Sequence, residues 1–192
     1  MIIGMLGGSF CPPTNAHLEL SKKCISEGLC DKVIWVPVND AYRKETNISA
    51  KHRIEMVKLA LAKEENIDYS LHEQNFDSVI YTIDSIKMLQ NLYPNDKFLF
   101  IAGADKLKYK WLKREEFVRD FGVILANRGD VDCNTIIASS ENLSRWKENI
   151  KILNFASDIS STIVRDEIKN KGFSDYISKE VMKYITDNKL FV

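Results

Sequence analysis

A chain of 192 residues with 45% apolar and 28% charged residues is long enough to bury a sizeable core and fits one globular domain. Lysine plus arginine and aspartate plus glutamate balance at 27 each, which argues against nucleic acid or an anionic membrane as partner. A small anion remains compatible, because a few local charges and backbone dipoles suffice to hold one. No apolar stretch approaches the ~18 residues of a membrane span, and MIIGMLGGSF lacks the flank and cleavage pattern of a signal peptide, so a cytoplasmic location is expected. Cys11, Cys24, Cys30 and Cys133 show neither CxxC spacing nor pairing with histidines, so free thiols are expected and a protein-held metal is not.

In chain order, Ile2 to Leu6 is a short apolar run feeding Gly7 and Gly8, as a buried parallel strand feeding a tight turn would. Pro12 and Pro13 stiffen the chain just before the first helix. Thr14 and Asn15 are good N-cap residues for that helix, which Gly28 stops, with Leu18, Leu20, Cys24 and Ile25 near one face. Val33 to Val38 is a second strand, which completes a βαβ unit. After a polar loop from Asn39 to Ile48, Ser49 to Lys63 reads as a helix and Ile67 to Leu71 as a strand. Thr82 caps a helix that Pro94 ends, and Lys97 to Ala102 is a strand delivering Gly103 to a loop. Phe121 to Ala126 and Ile150 to Phe155 are two more strands with a partly helical region between them. Helices near Ser161 to Lys171 and Ser178 to Asn188 close the chain.

Strands alternating with helices predict an α/β fold, an open, doubly wound parallel sheet with helices on both faces. Ligands of such sheets bind outside the carboxyl ends of the strands. The segments after the first, second, fourth and last strands hold the unusual residues. From Gly7 to His17, two glycines let backbone approach a ligand, and the adjoining helix start offers free N–H groups and a positive dipole end, with His17 in its first turn. From Asp158 to Arg165, the hydroxyls of Ser160, Ser161 and Thr162 open a helix with Arg165 one turn on, a set able to converge on a phosphate. Arg43 and Lys44 lie in a loop that is able to close over a polyphosphate, and Gly103, Asp105 and Trp111 come after the fourth strand. Each segment alone also has an ordinary reading, as a glycine turn, a helix cap, a charged surface turn or a core tryptophan. Their shared edge is what makes them a site. His52 reads as a helix-end group, His72 as surface, Trp35 as core, and Trp146 as packing one face of a charged helix. Neither GxGxxG nor GxxxxGK[ST] is present, so dinucleotide oxidoreductases and P-loop ATPases find no support.

Together these segments resemble the nucleotidyltransferase superfamily marked by (H/T)xGH after the first strand and ISSTxxR late in the chain, here Thr14 to His17 and Ile159 to Arg165. Within it the chain is most similar to the nicotinamide/nicotinate mononucleotide adenylyltransferases. GSFxPxTNxHL around Gly8 to Leu18, PVxDAYxK at Pro37 to Lys44, HRxxM at His52 to Met56, GAD at Gly103 to Asp105 and YTIDSI at Tyr81 to Ile86 carry that likeness over nearly the whole chain. Thr14 stands for the first histidine of the commoner motif and Ala16 for its glycine, and Cys11 stands where the family usually has Asp or Asn.

The resemblance implies a Rossmann-like nucleotidyltransferase domain over residues 1–192, helical from about 158 on. It implies transfer of AMP from ATP to nicotinate or nicotinamide mononucleotide, with the dinucleotide (NAD or its deamido form) and pyrophosphate as products. His17, Lys44 and Arg165 are the implied catalytic groups. ATP would be bound by Gly8, Ser9, Phe10, Thr14, His17, Gly103, Asp105, Ser160, Ser161, Thr162 and Arg165, and the mononucleotide by Ser9, Tyr42, Lys44, Thr82 and Trp111. Mg²⁺ would be held mainly by the ATP phosphates. Two alternatives stand beside this: a same-fold adenylyl- or cytidylyltransferase with another acceptor such as phosphopantetheine, and a nucleotide-binding regulatory module without turnover. A homo-oligomer is left open.

Overall fold

The computed structural model describes residues 1–42, 48–108, 113–127 and 131–191. Six strands form its sheet: β1 (Ile2–Gly8), β2 (Lys32–Pro37), β3 (Ile67–Tyr69), β4 (Lys97–Gly103), β5 (Val123–Asn127) and β6 (Ile150–Asn154). Between and after them run helices α1 (Asn15–Ser26), α2 (Ala50–Leu61), α3 (Thr82–Leu92), α4 (Arg114–Asp120), α5 (Cys133–Ser139), α6 (Glu141–Arg145), α7 (Ser161–Lys171) and α8 (Lys179–Asp187). The strand order is β3-β2-β1-β4-β5-β6, and every paired neighbour is parallel. All six expected strands are present at nearly the expected residues.

The strands are apolar on both faces, which is what a sheet covered on both sides requires. Alternate residues divide between two cores. Ile3, Met5, Ile34, Val36, Phe98, Val123 and Leu125 face a cluster completed by α3, α4, α5 and α6. Leu6, Val33, Trp35, Leu99, Ile101 and Ile124 face the cluster beneath α1 and α2. A third cluster seats α7 and α8 on α2, through Met56, Val164, Ile168, Val181 and Ile185. Among the described residues, no helix is long and apolar enough to cross a membrane.

The sheet reverses its winding between β1 and β4, and this is where it opens. β1 pairs with β4 only from Ile2↔Lys97 to Met5↔Phe100. Beyond that point β1 stays with β2 as far as Gly8↔Pro37, while β4 stays with β5 as far as Gly103↔Ala126. The two central strands therefore part at their carboxyl ends and leave a crevice at the topological switch point, the place where open α/β sheets bind ligands.

Candidate active site at the sheet crevice

Backbone direction in β1 can be traced through its hydrogen bonds. The carbonyl of Met1 accepts from Lys97 on the β4 side, and that of Ile2 accepts from Asp31 on the β2 side. Neighbouring residues of a strand direct their N–H and C=O to opposite sides, so odd-numbered residues face β4 and even-numbered ones β2. Gly8 obeys the rule, its carbonyl accepting from Val38 N–H at 3.0 Å. The peptide groups of Gly7 and the N–H of Ser9 therefore look toward β4 where the ladder has already ended.

The turn after β1 is tight and held by aromatic packing. Phe10 has φ 47°, a left-handed conformation costing about 1 kcal/mol or more for a residue with a Cβ. Its ring is buried and stacks on Trp35, centroids 4.8 Å apart with 6° between planes, and it meets the His17 ring at 5.2 Å. Trp35 is fixed in turn, its indole N–H donating to Ser21 Oγ at 2.8 Å while Ser21 Oγ donates to the His17 carbonyl at 2.8 Å.

Thr14 is the N-cap of α1, and His17 occupies the third helical position. There it takes the part a Glu or Gln plays in a capping box: the N–H of Thr14 donates to His17 Nδ1 at 3.0 Å, and the Thr14 hydroxyl lies 2.7 Å from the same atom. A backbone N–H is always a donor, so Nδ1 is the acceptor and the neutral ring carries its proton on Nε2.

The start of α7 meets this loop directly. Ser161 Oγ donates to the Pro12 carbonyl at 2.8 Å, and Arg165 Nη1 donates to the Cys11 carbonyl at 2.8 Å. Arg165 Nη2 lies 3.2 Å from Thr162 Oγ1, and Ser160 caps the helix through Ile163 N–H at 3.3 Å. The starts of α1 and α7 thus share one loop. Ser161 and Arg165 are thereby brought to the loop between Gly8 and His17, and the Arg165 guanidinium serves the loop's own carbonyl.

A third element also reaches the loop. Arg53, in the first turn of α2, is 3% exposed, so its charge lies in the interior. Its Nη1 donates to the Ser9 carbonyl at 3.0 Å, and its Nη2 donates to the Val38 carbonyl at 2.8 Å and to Asp40 Oδ1 at 3.1 Å. Asp40 Oδ1 also accepts from Ala50 N–H at 2.6 Å, at the start of α2. Sequence reasoning places Arg53 only within the HRxxM likeness and gives it no role, since an arginine in a helix start ordinarily points to water.

At the end of β4, a Cβ on Gly103 would collide with Asp105 Oδ1, so the absence of a side chain there lets the Asp105 carboxylate fold back against the strand end. Tyr42 and Thr82 are both exposed. Thr82 is the first residue of α3, and Tyr81, not Thr82 as expected, is its N-cap. Arg43, Lys44 and Trp111 lie outside the described residues.

His72 departs from the expectation of a surface residue. It is 9% exposed and belongs to a buried polar chain beneath the start of α3. Ser85 Oγ donates to Glu73 Oε1 at 2.6 Å and therefore accepts from His72 Nε2 at 2.8 Å, while Ser70 Oγ lies 3.0 Å from His72 Nδ1. Desolvation lowers the His72 pKa and raises that of Glu73. Asn39 Nδ2 secures the same segment to the end of β2 through the carbonyls of Glu73, Phe76 and Ser78, at 3.2, 2.9 and 2.7 Å. His52 pairs through Nδ1 with the Tyr184 hydroxyl at 2.9 Å, a helix-end contact away from the crevice. All four cysteines are buried, Cys24, Cys30 and Cys133 as free thiols, and desolvation pushes Cys24 up to about 12 and Cys30 up to about 11, so both are thiols, not thiolates, at neutral pH.

The family described as Cytidylyltransferase-like matches residues 5–167. Among curated relatives, "Nicotinate-nucleotide adenylyltransferase" of Bacillus subtilis is 30% identical, with 98% of this chain and 97% of that protein covered. "Probable nicotinate-nucleotide adenylyltransferase" of Carboxydothermus hydrogenoformans is 33% identical over the same shares. Among solved structures, the nicotinic acid mononucleotide adenylyltransferase of Plasmodium falciparum, complexed with NaAD, superposes with a TM-score of 0.75 at 21% identity, covering 99% of this chain and 97% of that one.

Proposed function

We infer the reaction from the premise that the chain belongs to the cytidylyltransferase-like family: it is an adenylyltransferase that joins the AMP portion of ATP to nicotinate mononucleotide and releases pyrophosphate. The nicotinate form of the acceptor is favoured because relatives matched along their whole length carry that name. The observation that carries the reading is the crevice itself. Two helix starts and the N–H groups of a glycine turn converge there, and the loop carbonyls of Ser9, Cys11 and Pro12 are bound by side chains behind it. Such a surface is positive in its backbone dipoles without needing net charge, and it suits a polyphosphate.

The substrate is ATP with its Mg²⁺, the ion riding on phosphate oxygens and water. A 5'-phosphate oxygen of the mononucleotide attacks the α-phosphorus, the bond to the β-phosphate breaks, and pyrophosphate leaves with the electron pair. The nucleophile is ionised at neutral pH, so no general base is required; positioning and charge stabilisation supply the rate. His17 Nε2–H is the donor assigned to the α-phosphate, held in that tautomer by Thr14. The N–H groups of Gly7 and Ser9, with the start of α7, receive the phosphates. Asp105 takes the ATP ribose, and Lys44, Arg165, Tyr42, Thr82 and Trp111 keep the roles that the resemblance implies.

Purified protein with MgATP should release pyrophosphate when nicotinate mononucleotide is added, more slowly with nicotinamide mononucleotide, and not with phosphopantetheine or without acceptor. Release with phosphopantetheine alone would favour the same-fold alternative, and ATP binding without turnover on any acceptor would favour a regulatory module.

A further inference from the structure

We propose that Arg53 is a positioning residue for the transferring phosphate, acting through the Ser9–Phe10 peptide without touching substrate. The inference rests on the reaction proposed above and adds to it a group outside the crevice.

The Ser9–Phe10 bond is trans, the sole cis bond among the described residues being Cys11–Pro12. In a planar trans peptide the C=O and the N–H point in opposite directions. Arg53 Nη1 holds the Ser9 carbonyl at 3.0 Å from the side of α2 and the end of β2, so the Phe10 N–H is directed to the other side, toward the crevice. A flip of that peptide would aim a carbonyl oxygen at an incoming phosphate and turn a donor into a repulsive dipole.

Three features indicate that this orientation is imposed. Phe10 has a positive φ, which a non-glycine residue adopts only when its surroundings hold it there. The same guanidinium also binds the Val38 carbonyl, so it registers the loop after β1 against the end of β2 with two bonds in a fixed plane. And the charge is buried, which carries a desolvation penalty that an apolar contact joining the same strands would avoid. Asp40 offsets part of it at 3.1 Å, where it is itself well exposed.

The test compares wild type, Arg53→Lys and Asp40→Asn. The lysine keeps the charge but cannot bind both carbonyls in one plane, while the asparagine keeps an acceptor at Oδ1 and leaves the carbonyl contacts intact. Wild type is assayed first for pyrophosphate release with nicotinate mononucleotide, which checks the parent reading independently of Arg53. With that activity present, Arg53→Lys should lower kcat by about tenfold to a hundredfold with a smaller change in KM for ATP, and Asp40→Asn should keep kcat near wild type. The second readout is the backbone amide of Phe10 in protein labelled with ¹⁵N-phenylalanine. Its resonance should move on addition of α,β-methylene ATP in wild type and Asp40→Asn, and move much less in Arg53→Lys. An unmoved Phe10 amide in ligand-saturated wild type overturns the proposal even if no Arg53 variant folds. So does an Arg53→Lys protein with a lowered melting temperature but wild-type kcat and a wild-type amide response, which is the behaviour of a purely structural strut.

Discussion

His17 and His72 show how differently one residue type is used within this chain. Both carry a proton on Nε2, His17 because Thr14 N–H occupies Nδ1 and His72 because Ser85 must accept from it. The first stands at a helix start beside the crevice, and the second lies under α3 in a chain ending on Glu73. The place of His17 is legible from the company of its segment, since a glycine turn followed by a histidine has an ordinary reading by itself and becomes a site only beside the other segments at the same sheet edge. That of His72 is not, because nothing local distinguishes a buried histidine from an exposed one; only the tertiary placement of Ser70 and Ser85 does. Arg53 escapes sequence reasoning for the same reason.

Burial of His72 has a consequence for pH. Its folded pKa is lowered from 6.5, so the unfolded chain binds the proton more tightly, and the stability that neutral His72 contributes is present above pH 6.5 and is lost as pH falls through the folded value. Glu73 is shifted upward from 4.5, and its contribution runs the other way, being present at low pH and lost as pH rises through its folded value. Comparing melting temperatures of wild type and His72→Gln separates the two. The advantage of wild type over the variant should shrink as pH is lowered from 7.5 to 5.5, whereas a pH-independent gap would show that the ring binds its proton equally in the folded and unfolded chains.

At the scale of elements, helix starts do the chemical and the structural work with the same groups. Ser160 caps α7 through Ile163 N–H, and Ser178 caps α8 through Val181 N–H at 3.2 Å. Replacing either by alanine should lower stability by about 1 kcal/mol in urea unfolding. Turnover should fall more for Ser160→Ala, because α7 begins against the Cys11–Pro12 carbonyls, whereas α8 packs on α2. Equal effects on turnover would mean that the α7 start has no special part. Helix boundaries are readable from capping residues and glycines; the exception at Thr82, with Tyr81 as the cap, arises because Thr is the better intrinsic cap and the chain's path at Tyr81 overrides that preference. What no capping pattern shows is which carbonyls a helix start will meet, and so the Ser161 and Arg165 contacts to the loop become visible only in three dimensions.

At the scale of the whole molecule, alternation of apolar runs with amphipathic segments is enough to read an open parallel sheet, since strands apolar on both faces admit little else. The order of those strands then places the crevice, because β1 parts from β4 after Met5 and Phe100. The four segments singled out by their residues all end strands at that edge. Everything proposed for the reaction depends on the turn and helix start from Gly7 to His17 holding the transferring phosphate, with His17 as the donor. The decisive measurement is single-turnover pyrophosphate release by His17→Ala, at saturating MgATP and nicotinate mononucleotide and with the fold checked by melting. The rate should be lower by roughly two orders of magnitude or more in a protein that still binds ATP; a folded variant turning over near the wild-type rate would contradict that role.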